Sequence, residues 1–109
     1  MAAPTPLPVD RTLKRLGQNV ALARLRRNLS QAALAERIGA SVNTVRRLEA
    51  GHPGTALQHF ARALQVFGAL DGLDQLLDTA QDAIGLALMD EKVPRRARRP
   101  KTGTGSGAF

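Results

Sequence analysis

Residues 30–51 read SQAALAERIGASVNTVRRLEAG, two short helical patterns on either side of Gly39. Ser30 stands where its hydroxyl can accept a first-turn backbone N–H, capping a helix that turns Leu34, Ala35 and Ile38 inward. Gly39 supplies the left-handed position that stops this helix. Ser41 caps a second helix running to about Ala50, where Gly51 ends it and Pro53 prevents continuation.

The second helix has little to bury. At about 100° per residue, Val45 and Leu48 define its apolar stripe, while Asn43, Arg46, Arg47 and Ala50 lie opposite, with Val42 and Thr44 at the margins. An amide and two guanidiniums on the outer face suit a nucleic-acid groove. Arginine donates two hydrogen bonds to guanine O6 and N7, and asparagine pairs with adenine N6 and N7. A turn of about three or four residues containing glycine, with the small Ala35 allowing close approach, makes the pair a helix-turn-helix unit.

Outward from this pair the chain is organised helically. Three prolines within residues 1–8 predict a flexible arm. From about Val9 to Arg27, Leu13, Leu16, Val20 and Ala23 recur at helical spacing. A fourth pattern starts near Thr55 and carries Leu57, Phe60, Ala61, Leu64 and Phe67 before Gly68. A fifth, from roughly Asp71 to Asp82, offers Leu73, Leu76 and Leu77. Residues 85–93, GLALMDEKV, fit either a last helical turn or a short strand. The predicted organisation is an arm over 1–8, a helical domain over 9–84, a short dimer element over 85–93 and a basic, disordered tail over 94–109.

Composition limits the chemistry. A hydrophobic content of 43% with only 3% aromatics and no Trp or Tyr favours packed helices, so the expected class is all-α. The absence of cysteine excludes thiol nucleophiles, zinc–thiolate clusters and disulfides. His52 and His59 are the only imidazoles; His52 adjoins a loop glycine and proline, and His59 has no carboxylate near it in sequence. Nothing gathers an acid, a base and a nucleophile, so no enzyme, cofactor or metal is expected. No apolar run approaches membrane-spanning length, and the start MAAPTPLPVD has no export-type apolar core, so no membrane partner and a cytoplasmic location are expected.

The net charge of +7 is unevenly spread. Residues 1–51 hold nine Arg/Lys against Asp10, Glu36 and Glu49. Residues 52–91 hold Arg62 against six acidic residues, and residues 92–109 hold six basic and no acidic ones. Two positive regions flank an acidic one, an arrangement in which the ends meet a polyanion and the middle meets something else. Lys14, Arg15, Arg26 and Arg27 are candidate phosphate contacts without sequence preference. Phe60 and Phe67 lie in register with leucines, which makes them core or subunit interface.

The combination of SQAALAERIG, the S-x-x-T-V start of the second helix, RLEAG at its end and LDGLDQLL after the fourth helix resembles the Cro/C1-type (XRE family) helix-turn-helix domain over residues 16–77. The resemblance implies a five-helix lambda-repressor-like fold that acts as a homodimeric repressor on palindromic double-stranded DNA operators. It implies that Gln31 contacts phosphate and buttresses the reading helix. Val42, Asn43 and Arg47 would meet base edges, and Thr44 and Arg46 the DNA backbone or flanking bases. Where the family often has a polar residue, Val42 would touch a thymine methyl. Arg24 and Glu49 match the family's structural ion pair between helix one and the end of helix three.

DAIGLALMDEKVPRRARRP resembles the C-terminal extension of HipB-like antitoxins, which bind a HipA-type kinase toxin. That likeness places Leu86 to Met89 in a small intersubunit strand pair. The competing reading is a protein-interaction or inhibitor module in which the fold does not read DNA.

Overall fold

The structure is a computed structural model that describes residues 3–92, and every regular element among them is helical. Helix α1 (Leu7–Arg26) starts inside the proline-rich arm, earlier than its apolar pattern predicts. Pro6 takes the N-cap position, and Pro8 falls in the first turn, where a backbone N–H has no intrahelical acceptor to lose. Only residues 3–6 of the described arm lie outside a helix.

Helices α2 (Gln31–Ile38) and α3 (Val42–Glu49) form as the spacing of serines and glycine predicts. Ser30 Oγ accepts the Ala33 N–H at 3.0 Å, and Ser41 Oγ accepts the Thr44 N–H at 3.1 Å. Gly39 sits at φ 68°, a conformation that would strain a side-chain-bearing residue, and it turns the chain sharply enough for α3 to pack across α2. Helix α4 (Leu57–Phe67) follows a loop that begins at Gly51.

The core is small: Val20, Leu34, Ala35, Ile38, Val45, Leu48 and Ala63 are buried, and Ala40, Val42, Phe60, Val66 and Phe67 pack against them half-exposed. Two faces differ from the predicted stripes. On α1 the buried positions are Gly17, Val20 and Arg24, while Leu16 is 36% exposed and Leu13 and Ala23 are half-buried. The cause is close approach. A Cβ on Gly17 would lie 2.5 Å from the Glu49 carbonyl oxygen, and one on Gly51 would lie 2.6 Å from the Lys14 Cα. Gly17 against the Glu49–Gly51 backbone and Gly51 against the Leu13–Lys14 backbone therefore let α1 touch the end of α3, which rotates the buried face of α1 toward position 17.

On α4 the innermost residue is Ala63, with no exposed area, and Leu57 is 70% exposed. Arg62, on the same helix, donates to the Ile38 carbonyl at 3.0 Å and satisfies an orphan acceptor at the C-terminal end of α2. Arg27 fastens the other ends of the bundle. Its guanidinium donates to the Ala23 and Phe67 carbonyls and lies 5.0 Å from the centre of the Phe67 ring. Arg27 is thus a packing residue in the structure, a use that its charge alone did not reveal.

The chain divides between Asp71 and Gly72 into two compact units. The predicted fifth helix over 71–82 is replaced by a short α5 (Leu70–Asp74) and a single 3-10 turn at Thr79–Gln81. Leu77, in the left-handed region at φ 61°, breaks the run between them. The ambiguous stretch from residue 85 is settled as helix: α6 (Ala83–Lys92) is capped by Asp82, whose carboxylate accepts the Gly85 N–H at 2.9 Å. Leu86 to Met89 are therefore helical and not a strand. The described chain has six α-helices where the resemblance implied five. Val93 and the basic tail lie outside the described residues.

Candidate nucleic-acid interface

Helix α3 spans eight residues and is fixed from one side only. Val45 has no exposed area and Leu48 is 6% exposed, whereas Asn43, Arg46 and Arg47 are exposed. The hydrophobic contacts of Val45 and Leu48 therefore set the rotation of the helix, and its polar face is turned to solvent by exclusion. Val42 and Thr44 are half-exposed at the two edges. Val42 packs against the core, so only part of its surface is available to a thymine methyl.

The orientation of α3 is locked at its end by ion pairing. Arg24 Nε lies 2.6 Å from Glu49 Oε2 and Arg24 Nη2 3.1 Å from Glu49 Oε1, a two-point contact between planar groups. The side chains are only 11% and 8% exposed. Arg24 also donates to the Leu29 carbonyl at 2.9 Å, and Gln31 Nε2 donates to Glu49 Oε1 at 3.0 Å. One carboxylate at the end of α3 thus binds α1 and the first residue of α2 together. Gln31 is half-buried and its amide donates to the carboxylate at the end of α3.

The structure also brings residues to the site that the sequence reading did not single out. Thr44 and Arg47 share a hollow of about 160 Å³ with Gly54, Thr55, Ala56 and His59, all in the loop and first turn of α4. Thr55 Oγ1 is buried there and has no hydrogen-bond partner. No side chain caps α4, because Ala56 occupies its N-cap. His52 shapes the loop by accepting the Gly54 N–H on Nδ1 at 2.9 Å. A guanidinium, a hydroxyl without a partner and an uncapped helix start converge on one corner beside the exposed face of α3, and each favours an anion. The sequence carried a faint signal in Thr55–Ala56, where a residue able to cap stands one position early.

Of the four candidate phosphate contacts outside this region, Lys14 pairs with Asp10 at 3.0 Å and Arg27 is engaged as described, while Arg15 and Arg26 are exposed on α1. Among the described residues no group of His, Asp or Glu gathers that could hold a metal ion, and no helix is long and apolar enough to cross a membrane. A family model described as a helix-turn-helix domain matches residues 15–79. No curated protein and no solved structure matches the chain.

Proposed function

Because the chain belongs to the helix-turn-helix domain family, which its match covers over more than half of its length, we propose that it is a cytoplasmic transcriptional repressor. In this reading it binds palindromic operators in double-stranded DNA as a homodimer. The observation that carries the proposal is α3 itself, held rigidly by two buried side chains and a two-point ion pair while Asn43, Arg46 and Arg47 stay exposed. A helix with this polarity enters the major groove, where Asn43 and Arg47 read base edges and Thr44 and Arg46 meet the backbone. The hollow at the start of α4 receives a phosphate, with Thr55 Oγ1 as a donor, and so fixes how deeply α3 sits. A single such helix reads only a few base pairs, and a two-fold pair on half-sites about 34 Å apart supplies the remaining specificity.

Selection of bound fragments from random duplexes, followed by titration of the winner, tests the proposal. Arg47→Ala should cost about 1–3 kcal/mol at one operator position and little elsewhere. Thr55→Ala should weaken binding to all duplexes alike. Selection that enriches no sequence would end the repressor reading and favour the interaction-module alternative. The narrower reading, an antitoxin that also binds a HipA-type kinase toxin, rests on the resemblance beyond residue 82, and the helical form of Leu86 to Met89 removes one of its supports. Co-purification with the product of a neighbouring kinase-like reading frame would test it.

A further inference from the structure

The hollow at the start of α4 contains a titratable side chain to which the contacts proposed for α3 give no part. His59 stands half-buried in the first turn of α4 and lines the hollow with Thr44 and Arg47 of α3 and with Gly54, Thr55 and Ala56 of the preceding loop. All six residues belong to the compact unit that ends at Asp71, so the arrangement does not depend on the second unit. No acidic residue lines it. Thr44 Oγ1 is already paired with Ser41 Oγ, whereas Thr55 Oγ1 is buried without a partner. The hollow therefore offers a guanidinium, an imidazole and a spare hydroxyl, with no negative charge among them.

The neighbouring titratable and charged groups have other uses. His52 accepts the Gly54 N–H on Nδ1 at 2.9 Å, a bond that needs the neutral ring. Arg62, one turn further along α4, donates to the Ile38 carbonyl at 3.0 Å. That leaves Arg47 and His59 to face whatever enters the hollow.

We propose that His59 takes up a proton from solvent when a backbone phosphate of the duplex enters this hollow, so that DNA binding is linked to pH. A neutral imidazole offers the phosphate one N–H and no charge, while the protonated ring offers an N–H on each nitrogen and a full positive charge beside Arg47. The phosphate supplies the negative charge that the hollow's own lining lacks. The sign follows from reciprocity: a duplex that favours the protonated ring is itself bound more tightly by that ring, so affinity rises as pH falls. The inference rests on the DNA-binding reading of α3 and adds to it one contact residue and a direction with pH.

Calorimetric titration of the full chain with its selected duplex near neutral pH, repeated in buffers of different ionisation enthalpy, counts the protons taken up. The chain has no cysteine and only two histidines, which keeps the count simple. A net uptake is expected, with affinity rising about fivefold per chain between about pH 8 and about pH 6. His59→Gln should remove that uptake, and His52→Gln should keep it. His59→Arg, whose charge is fixed, should bind near pH 8 as tightly as the wild type does near pH 6, again without uptake. Duplexes in which one phosphate at a time is replaced by a neutral methylphosphonate should lose the uptake at a single position per bound chain. A chain that binds no duplex at any pH would overturn the proposed function and this inference together. Duplex binding without proton uptake would overturn the inference alone. So would an uptake that persists in His59→Gln, or one that no single methylphosphonate removes.

Discussion

Removing the Glu49 carboxylate should be the most damaging polar truncation in the bundle. Glu49→Ala deletes two hydrogen bonds from Arg24, at 2.6 and 3.1 Å, and one from Gln31 at 3.0 Å. It also leaves a guanidinium that is 11% exposed without its counter-charge. Breaking a buried ion pair from one side costs about 3–5 kcal/mol, and the bond that Arg24 keeps to the Leu29 carbonyl places this case near 3 kcal/mol. For a domain of this size that corresponds to a fall in melting temperature of roughly 12–24 °C.

Replacing the pair together should behave differently. In Arg24→Met/Glu49→Leu no charge is stranded, and what is lost is chiefly a partner for the Leu29 carbonyl and for the Gln31 amide, about 1–2 kcal/mol in all. The double variant should therefore be more stable than Glu49→Ala, with a coupling energy above about 2 kcal/mol in the cycle completed by Arg24→Met and Glu49→Leu. Urea unfolding followed by far-ultraviolet circular dichroism at a constant m value reads all of these. A Glu49→Ala cost below about 1 kcal/mol, or single costs that simply add, would refute the account of α3 as a helix held in place by this carboxylate.

Three further outcomes follow from local geometry. Gly17→Ala should lower stability by about 2 kcal/mol in a thermal melt even though alanine is the better helix former, because its Cβ would meet the Glu49 carbonyl oxygen at 2.5 Å and the Gly51 nitrogen at 2.8 Å. A stabilised variant would contradict the close approach of α1 and α3. Ser41→Ala should cost about 1 kcal/mol by freeing the Thr44 N–H, and Ser30→Ala a similar amount, each measured by urea midpoint. Arg27→Ala should cost about 1 kcal/mol with little change in the salt dependence of DNA binding, because its guanidinium serves Ala23, Phe67 and the Phe67 ring; a slope reduced by a full phosphate contact would restore it to the DNA surface.

The parts of this fold that were legible in the sequence are those set by local chemistry. Ser30, Gly39 and Ser41 each act on their own few residues, and the structure uses all three at the helix ends where spacing puts them. The outer face of α3 was legible for the same reason, since only Val45 and Leu48 could face inward. Where helix met helix, periodicity misled. Leu16 and Ala23 looked like core on α1, yet Gly17 and Arg24 took those directions, because the absence of one Cβ and the pull of one carboxylate set the approach of α1 to α3. Neither effect has a period, so helical spacing could not announce it, and the Arg24–Glu49 pair was foreseen only through the family resemblance.

The same distinction explains the region after residue 68. Leucines at 73, 76 and 77 promise a helix by spacing, but a spaced apolar stripe forms one only when something is there to pack against it, and Leu76 and Leu77 are 68% and 82% exposed. The segment breaks instead at Leu77 into a short helix, a turn and α6. Spacing is thus a necessary and not a sufficient condition for a helix, and this segment meets the first condition without the second.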